Sequence, residues 1–234
     1  IDRKVFGSAA MNFFFMIEKL NQLEMYDYIF LADQDDIWLP NKMISAINVI
    51  LTENAEAYSS SFYAWNEKTK RVMYKHKAQK QTELDYFFRS PGPGFTYCFT
   101  RDAFKRIQHD LVKKDLNNLR WHDWAIYALA RDIGIKWYID EHAYALYRLH
   151  DRNDTGQITG INDLIKRLNY LLGGHYKKQT QLIANLTNSS RYRQIVSRMH
   201  FSDRIFLIWQ VRKMRFSNIE RFALILFFIF TRRK

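Results

Sequence analysis

Residues 26–38 read YDYIFLADQDDIW, and this stretch decides the fold class. Tyr28, Ile29, Phe30, Leu31 and Ala32 form an unbroken apolar run, the pattern of a strand buried on both faces in a parallel sheet. The run ends in three carboxylates within four positions, Asp33, Asp35 and Asp36. In an open α/β sheet the carboxyl ends of the strands are where ligands bind. Like charges this close repel, so a site that keeps all three ionised invites a cation. Hard oxygen ligands favour Mg²⁺ or Mn²⁺, ions that commonly bridge protein carboxylates to phosphates. The same residues also permit a plainer reading, an acidic turn in which Asp36 caps the next helix and Pro40 lies in its first turn.

Outward from this stretch, strand and helix patterns alternate. Val5 to Leu23 reads as a helix with Phe13, Phe14, Ile17 and Leu20 on one side, and Pro40 to Leu51 as a second with Met43, Ile44, Ile47 and Ile50 on one face. Ala57 to Trp65 and Arg71 to Lys75 read as strands around a polar turn. Residues 75–83 are polar and read as loop, and SPGPG at 90–94 is the densest cluster of turn formers in the chain. Phe95 to Thr100 follows as a strand, Arg101 to Val112 and His122 to Asp132 as helices, and Ile135 to Ile139 and Tyr144 to His150 as strands. This order predicts an α/β sheet domain over residues 1–160.

Beyond Gly160 strand signals stop, and 161–172, 175–187, 190–200 and 203–230 read as helices. Charge divides the chain at the same place. Residues 1–160 carry 21 Lys plus Arg and 21 Asp plus Glu, whereas residues 161–234 carry 15 and 3, so the whole net charge of +12 lies in the tail. Phe222 to Phe230, FALILFFIF, is nine apolar residues between Arg221 and the Arg232, Arg233, Lys234 terminus. Nine falls well short of the ~20 needed to cross a bilayer. Aromatic residues mixed with basic ones predict a helix lying in the interface of an anionic membrane surface.

The single Cys98 excludes an internal disulfide framework and a multi-cysteine zinc site, in keeping with a reducing, cytoplasmic setting. With 47% hydrophobic residues the chain can bury a sizeable core. It opens at Ile1 on what reads as the end of an earlier element, which predicts an N-terminal truncation.

Four segments in order, LADQDDIWLPNKM (31–43), GPGFTYCFTRDAF (92–104), RWHDWAIYALA (120–130) and YRLHDRNDTG (147–156), resemble the family 2 glycosyltransferases of bacterial surface polysaccharide synthesis, most closely their rhamnosyltransferase-like branch. The resemblance covers about residues 5–156 and implies the GT-A fold with its doubly wound α/β sheet, a nucleotide-diphospho-sugar donor and a divalent metal, Mn²⁺ or Mg²⁺. It implies that Asp35 ligates the metal, that Asp33 faces the nucleotide or its ribose, and that Asp36 is a supporting carboxylate. Asp123 matches the general base of inverting members, which takes the proton of the acceptor hydroxyl. Read from its residue type alone, Asp123 is a helix cap before it is a catalyst, and the resemblance reverses that order. Many members have Glu-Asp where this chain has His122-Asp123, so the resemblance gives His122 no role.

The resemblance also places His150 near the metal or diphosphate, where a neutral imidazole suits Mn²⁺. Arg148 or Arg152 can neutralise phosphate oxygens. Gly92 and Gly94 either make the turn or let backbone approach the donor sugar. Trp38, Trp121 and Trp124 either stack on sugar faces or pack in the core. The first strand and helix of the family, which carry most base contacts, precede a segment like Gly7 to Phe15 and have no counterpart here.

These readings predict an inverting, metal-dependent glycosyltransferase acting on a lipid-linked or polysaccharide acceptor, peripheral on the cytoplasmic face of the membrane. The alternative is a truncated or decayed, non-catalytic module that keeps the fold. Nucleic acid is not an expected partner, because the tail aromatics come as a solid apolar block and no nucleic-acid motif is present. Homo-oligomerisation is left open by the sequence.

Overall fold

The computed structural model describes residues 7–149, 169–171, 173–188 and 191–231. The chain separates into two units, Ile1–Gln79 with Ser90–Asp154 and Lys80–Arg89 with Thr155–Lys234.

The first unit is a mixed α/β fold of the GT-A-like kind. Its strands are β1 (Tyr28–Phe30), β2 (Ile37–Trp38), β3 (Ala57–Asn66), β4 (Val72–Lys75), β5 (Cys98–Thr100) and β6 (Trp137–Leu149), in the order β1-β5-β3-β6-β2, with β4 hairpinned onto β3. β3 and β6 run parallel, and the other described pairs are antiparallel. Of the helices α1 (Ala9–Lys19), α2 (Lys42–Thr52), α3 (Arg101–Leu111) and α4 (His122–Asp132), α2 packs on β3 and β6, α3 on β1 and β5, and α1 against α3 and α4.

Local chemistry sets the helix starts. Ser8 accepts a hydrogen bond from the Met11 N–H at 3.2 Å and Thr100 one from Ala103 at 3.3 Å, each satisfying a donor the helix leaves unpaired. α1 buries Ala10, Phe13, Phe14 and Ile17, and α4 buries every residue from Trp124 to Ala130. An aromatic cluster joins helix to sheet: the Trp137 ring meets Tyr97 at 4.8 Å, Tyr127 at 5.1 Å and Phe99 at 5.6 Å, all near perpendicular.

Three expectations are corrected here. β1 is half-buried, not buried on both faces, because it ends the described strand order and pairs antiparallel with β5. Residues 94–96 form a 3-10 turn that shortens the strand expected from Phe95. Residues 137–149 form one strand where the polar DEH at 140–142 reads as a break. Asp140 holds it together: its carboxylate accepts from the Tyr58 hydroxyl at 2.9 Å and from the His142 N–H at 2.9 Å, while register shifts at Ser60 and Ser61 absorb the irregularity.

The second unit contains α5 (His175–Leu186), α6 (Arg193–Arg198), α7 (Phe201–Trp209) and α8 (Asn218–Phe230). The segment Lys80–Arg89 packs into it. The Tyr176 hydroxyl donates to the Phe88 carbonyl at 2.6 Å, Arg215 donates to the same oxygen at 2.5 Å, and the Phe88 ring meets Phe228 edge-on. The helix expected over 203–230 is broken: α7 ends at Trp209, a 3-10 turn follows at Val211–Lys213, and Ser217 caps α8 by accepting from the Glu220 N–H at 3.2 Å.

Candidate active site

The site is built on the two sides of the DQDD turn. β2 is stitched to the far end of β6 through Ile37 against Leu146 and Trp38 against Ala145. That pairing brings Asp36 beside Arg148, whose backbone N–H donates to Asp36 Oδ1 at 3.3 Å. Asp36 therefore does not cap α2. The residue before α2 is Asn41, which makes no side-chain cap bond.

The charges of Asp35 and Asp123 reach Asp33, and those of Asp33 and Asp35 reach Asp36. Burial first, then the charges of Asp35 and Asp123, push the Asp33 carboxyl up to about 6. Burial and the Asp33 charge push Asp36 up to about 7, against the opposing Arg148 N–H. Asp36 Oδ2 is buried and accepts no hydrogen bond. A buried carboxylate oxygen without a hydrogen bond, in a self-repelling acidic set, is an arrangement that a bound cation would relieve.

Among the described residues no three or more His, Cys, Asp or Glu side chains converge into a ready-made metal cage. That is compatible with Mg²⁺ or Mn²⁺, which protein holds through one or two carboxylates while substrate phosphates and water complete the shell. The donor set thus fits such an ion. His150 lies outside the described residues, as does Arg152.

Asp123 sits inside the first turn of α4, and Trp121 occupies the cap position. It is a first-turn carboxylate whose charge reaches Asp33, bonded to the Ser90 side chain and to the N–H groups of Trp124 and Asp123. Burial outweighs these bonds and the Lys77 charge, and its carboxyl is pushed up to about 6. The Tyr97 hydroxyl, fully buried, lies 3.0 Å from the Gly92 carbonyl and 3.2 Å from that of Asp123, tying the SPGPG turn to the start of α4.

Gly94 closes on the protein's own side chain. A Cβ at this position would stand 2.4 Å from His122 Nε2. The His122 ring is stacked on Phe13 at 3.9 Å, its Nε2 has no hydrogen-bond partner, and burial holds it neutral by drawing it down to about 4. Trp38 packs one ring face on Lys42, whose Nζ lies 3.7 Å from the ring centroid. Lys42 is 3% exposed, and burial lowers its ammonium to about 8. Trp124 is core, and Trp121 is half-buried beside it.

The sequence reading missed Ser90, Tyr97, Lys42 and the Phe13–His122 stack. Their one signal is proximity to the motifs. Nothing in residue type distinguishes them from packing.

The mixed sheet of the first unit, with Asp33, Asp35 and Asp36 after β1 and Asp123 in the first turn of α4, is an arrangement of the GT-A-like fold class. No family model matches the chain. Over 230 residues, 96% of this chain and 79% of the relative's length, it is 32% identical to the dTDP-rhamnosyl transferase RfbG of Shigella flexneri. With that match the chain belongs to the family 2 glycosyltransferases, and its activity is glycosyl transfer.

Proposed function

We propose that this chain is an inverting rhamnosyltransferase of polysaccharide synthesis, moving a sugar from a dTDP-linked donor to a hydroxyl of a lipid-linked or polysaccharide acceptor. The charge-coupled set Asp33, Asp35, Asp36 and Asp123 carries the reading, and the similarity to the dTDP-rhamnosyl transferase of Shigella supports the donor.

In this mechanism Asp123 accepts the proton of the acceptor hydroxyl as its oxygen bonds to the anomeric carbon. The bond from that carbon to the donor phosphate oxygen breaks in the same displacement, and its electron pair leaves with dTDP. A carboxyl poised near 6 is ionised at neutral pH yet basic enough to take a proton in flight. Asp35 would hold Mn²⁺ or Mg²⁺, with His150 beside it and Asp33 toward the ribose. When bound, the ion supplies positive charge to the leaving diphosphate. Asp36 supports that set from its bond to Arg148, and the Arg148 guanidinium and the Gly94 turn border the donor.

The acceptor is met at the cytoplasmic face of an anionic membrane, where the chain sits peripherally. Among the described residues no helix is long and apolar enough to cross a membrane. The test is calorimetry of dTDP with Mn²⁺ on the chain and on Asp35→Ala, followed by NMR of the product's anomeric configuration. Metal-dependent binding lost in the variant, and inversion in the product, are expected. Retention, or equal binding by both proteins, overturns the reading.

A further inference from the structure

Two helices of the second unit present apolar side chains to water on the side away from their core. α8 buries Leu224, Phe227 and Phe228, while Ile219, Phe222, Ile229 and Phe230 are exposed. At 100° per residue these four fall within one arc of about 100°, opposite the buried three. α7 buries Leu207 and exposes Phe201, Ile205 and Trp209 at a spacing of four. Trp209 is 81% exposed and Ile219 83%. The connection between them carries the exposed Arg212, Lys213 and Phe216.

A helix that is apolar on both sides needs apolar surroundings on both sides. The chemistry of the rim says which. Residues 161–234 hold 15 Lys plus Arg against 3 Asp plus Glu. Of the acidic residues, Asp203 accepts from the His200 N–H at 2.9 Å and Glu220 is paired with Arg215 at 3.5 Å. Cations next to exposed Trp and Phe match a layer whose surface is anionic and whose interior is hydrocarbon. α8 has 13 residues, about 20 Å of helix, too short to cross a bilayer and suited to lie in its interface.

We propose that the outer faces of α7 and α8, with the Arg212–Lys213 turn between them, form a docking surface that seats on an anionic lipid bilayer. This rests on the peripheral location proposed above and assigns it to named residues. Trp209 and Phe222 enter the acyl boundary, and Arg212 and Lys213 meet lipid phosphates.

The test is co-sedimentation of the full chain with phosphatidylcholine vesicles, with and without phosphatidylglycerol, at low and high salt. Two variants accompany it, Trp209→Ser/Phe222→Ser and Arg212→Ser/Lys213→Ser, each checked for unchanged melting and unchanged dTDP binding. Wild-type chain should bind the anionic vesicles, less so in high salt, and each variant should bind at least about tenfold more weakly. Failure of the wild type to bind overturns the location together with the surface. Wild-type binding that both variants retain overturns the surface alone. Concentration-dependent dimerisation lost in Trp209→Ser/Phe222→Ser, without lipid binding, gives the face to a second copy and also overturns the proposal.

Discussion

Replacing Gly94 by alanine places a methyl carbon 2.4 Å from His122 Nε2, 3.1 Å from Cδ2 and 3.4 Å from Cε1. Ordinary contact begins near 3.4 Å, so turn and ring must part by about 1 Å. The ring cannot simply retreat. Phe13 is stacked behind it at 3.9 Å and 15°, and the residue is only 9% exposed. Overpacking of this kind costs about 1–3 kcal/mol. For a chain of this length that is a Tm lower by roughly 2–12 °C. His122 is bonded directly to Asp123, so the displacement reaches the base, and a shift of about 1 Å in a catalytic group costs on the order of 10²-fold in rate. The assay pairs thermal unfolding with transfer kinetics on Gly94→Ala, His122→Ala and the double variant. Because His122→Ala removes the atoms the methyl strikes, the double variant should melt close to His122→Ala alone. Strictly additive losses, with a coupling energy near zero, would refute the contact as the cause.

Other outcomes follow from the same geometry. Asp123→Asn should lower transfer by about 10²–10⁴-fold. In the wild type the rate should rise with pH through about 6 and then level, a limb absent from the Asn variant; pH–rate profiles of both decide this. Burial and the neighbouring Asp33 charge raise the Asp36 carboxyl from an ordinary value of 3.8 to about 7, so the folded state holds the extra proton between these values. Stability in metal-free buffer therefore falls as pH rises through this window, and Asp36→Asn should melt above the wild type at pH 8 with the gap closing toward pH 4. Differential scanning calorimetry across pH is the check. Lys42 is an ammonium with no hydrogen-bond partner, buried between Trp38 and Phe30, and its burial opposes the charged form. Lys42→Met should raise Tm at pH 7 and abolish the gain in stability that the wild type shows as pH rises from about 8.

Much of the first unit could be read before the structure was known, wherever one residue type settles one physical question. The helix at His122–Asp132 and the strand at Ala57 were marked by periodicity and by β-formers, and the DQDD turn by its repulsion. The apolar run at Tyr28 misled on burial because it reports what a strand would tolerate, not which neighbours it has. The polar DEH inside β6 concealed a continuous strand because Asp140 finds its partners in Tyr58, eighty-two positions away, a contact that no local window contains. The meaning of Gly94 was hidden for the same reason. Its constraint comes from the ring of His122 on another element and not from its own backbone. In the tail, an uninterrupted helical composition masked the break before Ser217, which capping and the bonds of Arg215 to Phe88 and Tyr176 impose.

The placement of Lys80–Arg89 has a consequence for modularity. The helical unit borrows ten residues from the middle of the chain, and among them Leu84, Phe87 and Phe88 are wholly enclosed. Recombination at a single crossover near residue 160 would transplant the helices without this internal strand of chain, leaving three large apolar side chains bare in the donor half and an empty seat at Tyr176 and Arg215 in the other. The two units are therefore not exchangeable cassettes. Any gene that acquires one of them by fusion must either inherit the inserted decapeptide as well or evolve a replacement for it, which ties the drift of the catalytic half to that of its helical companion.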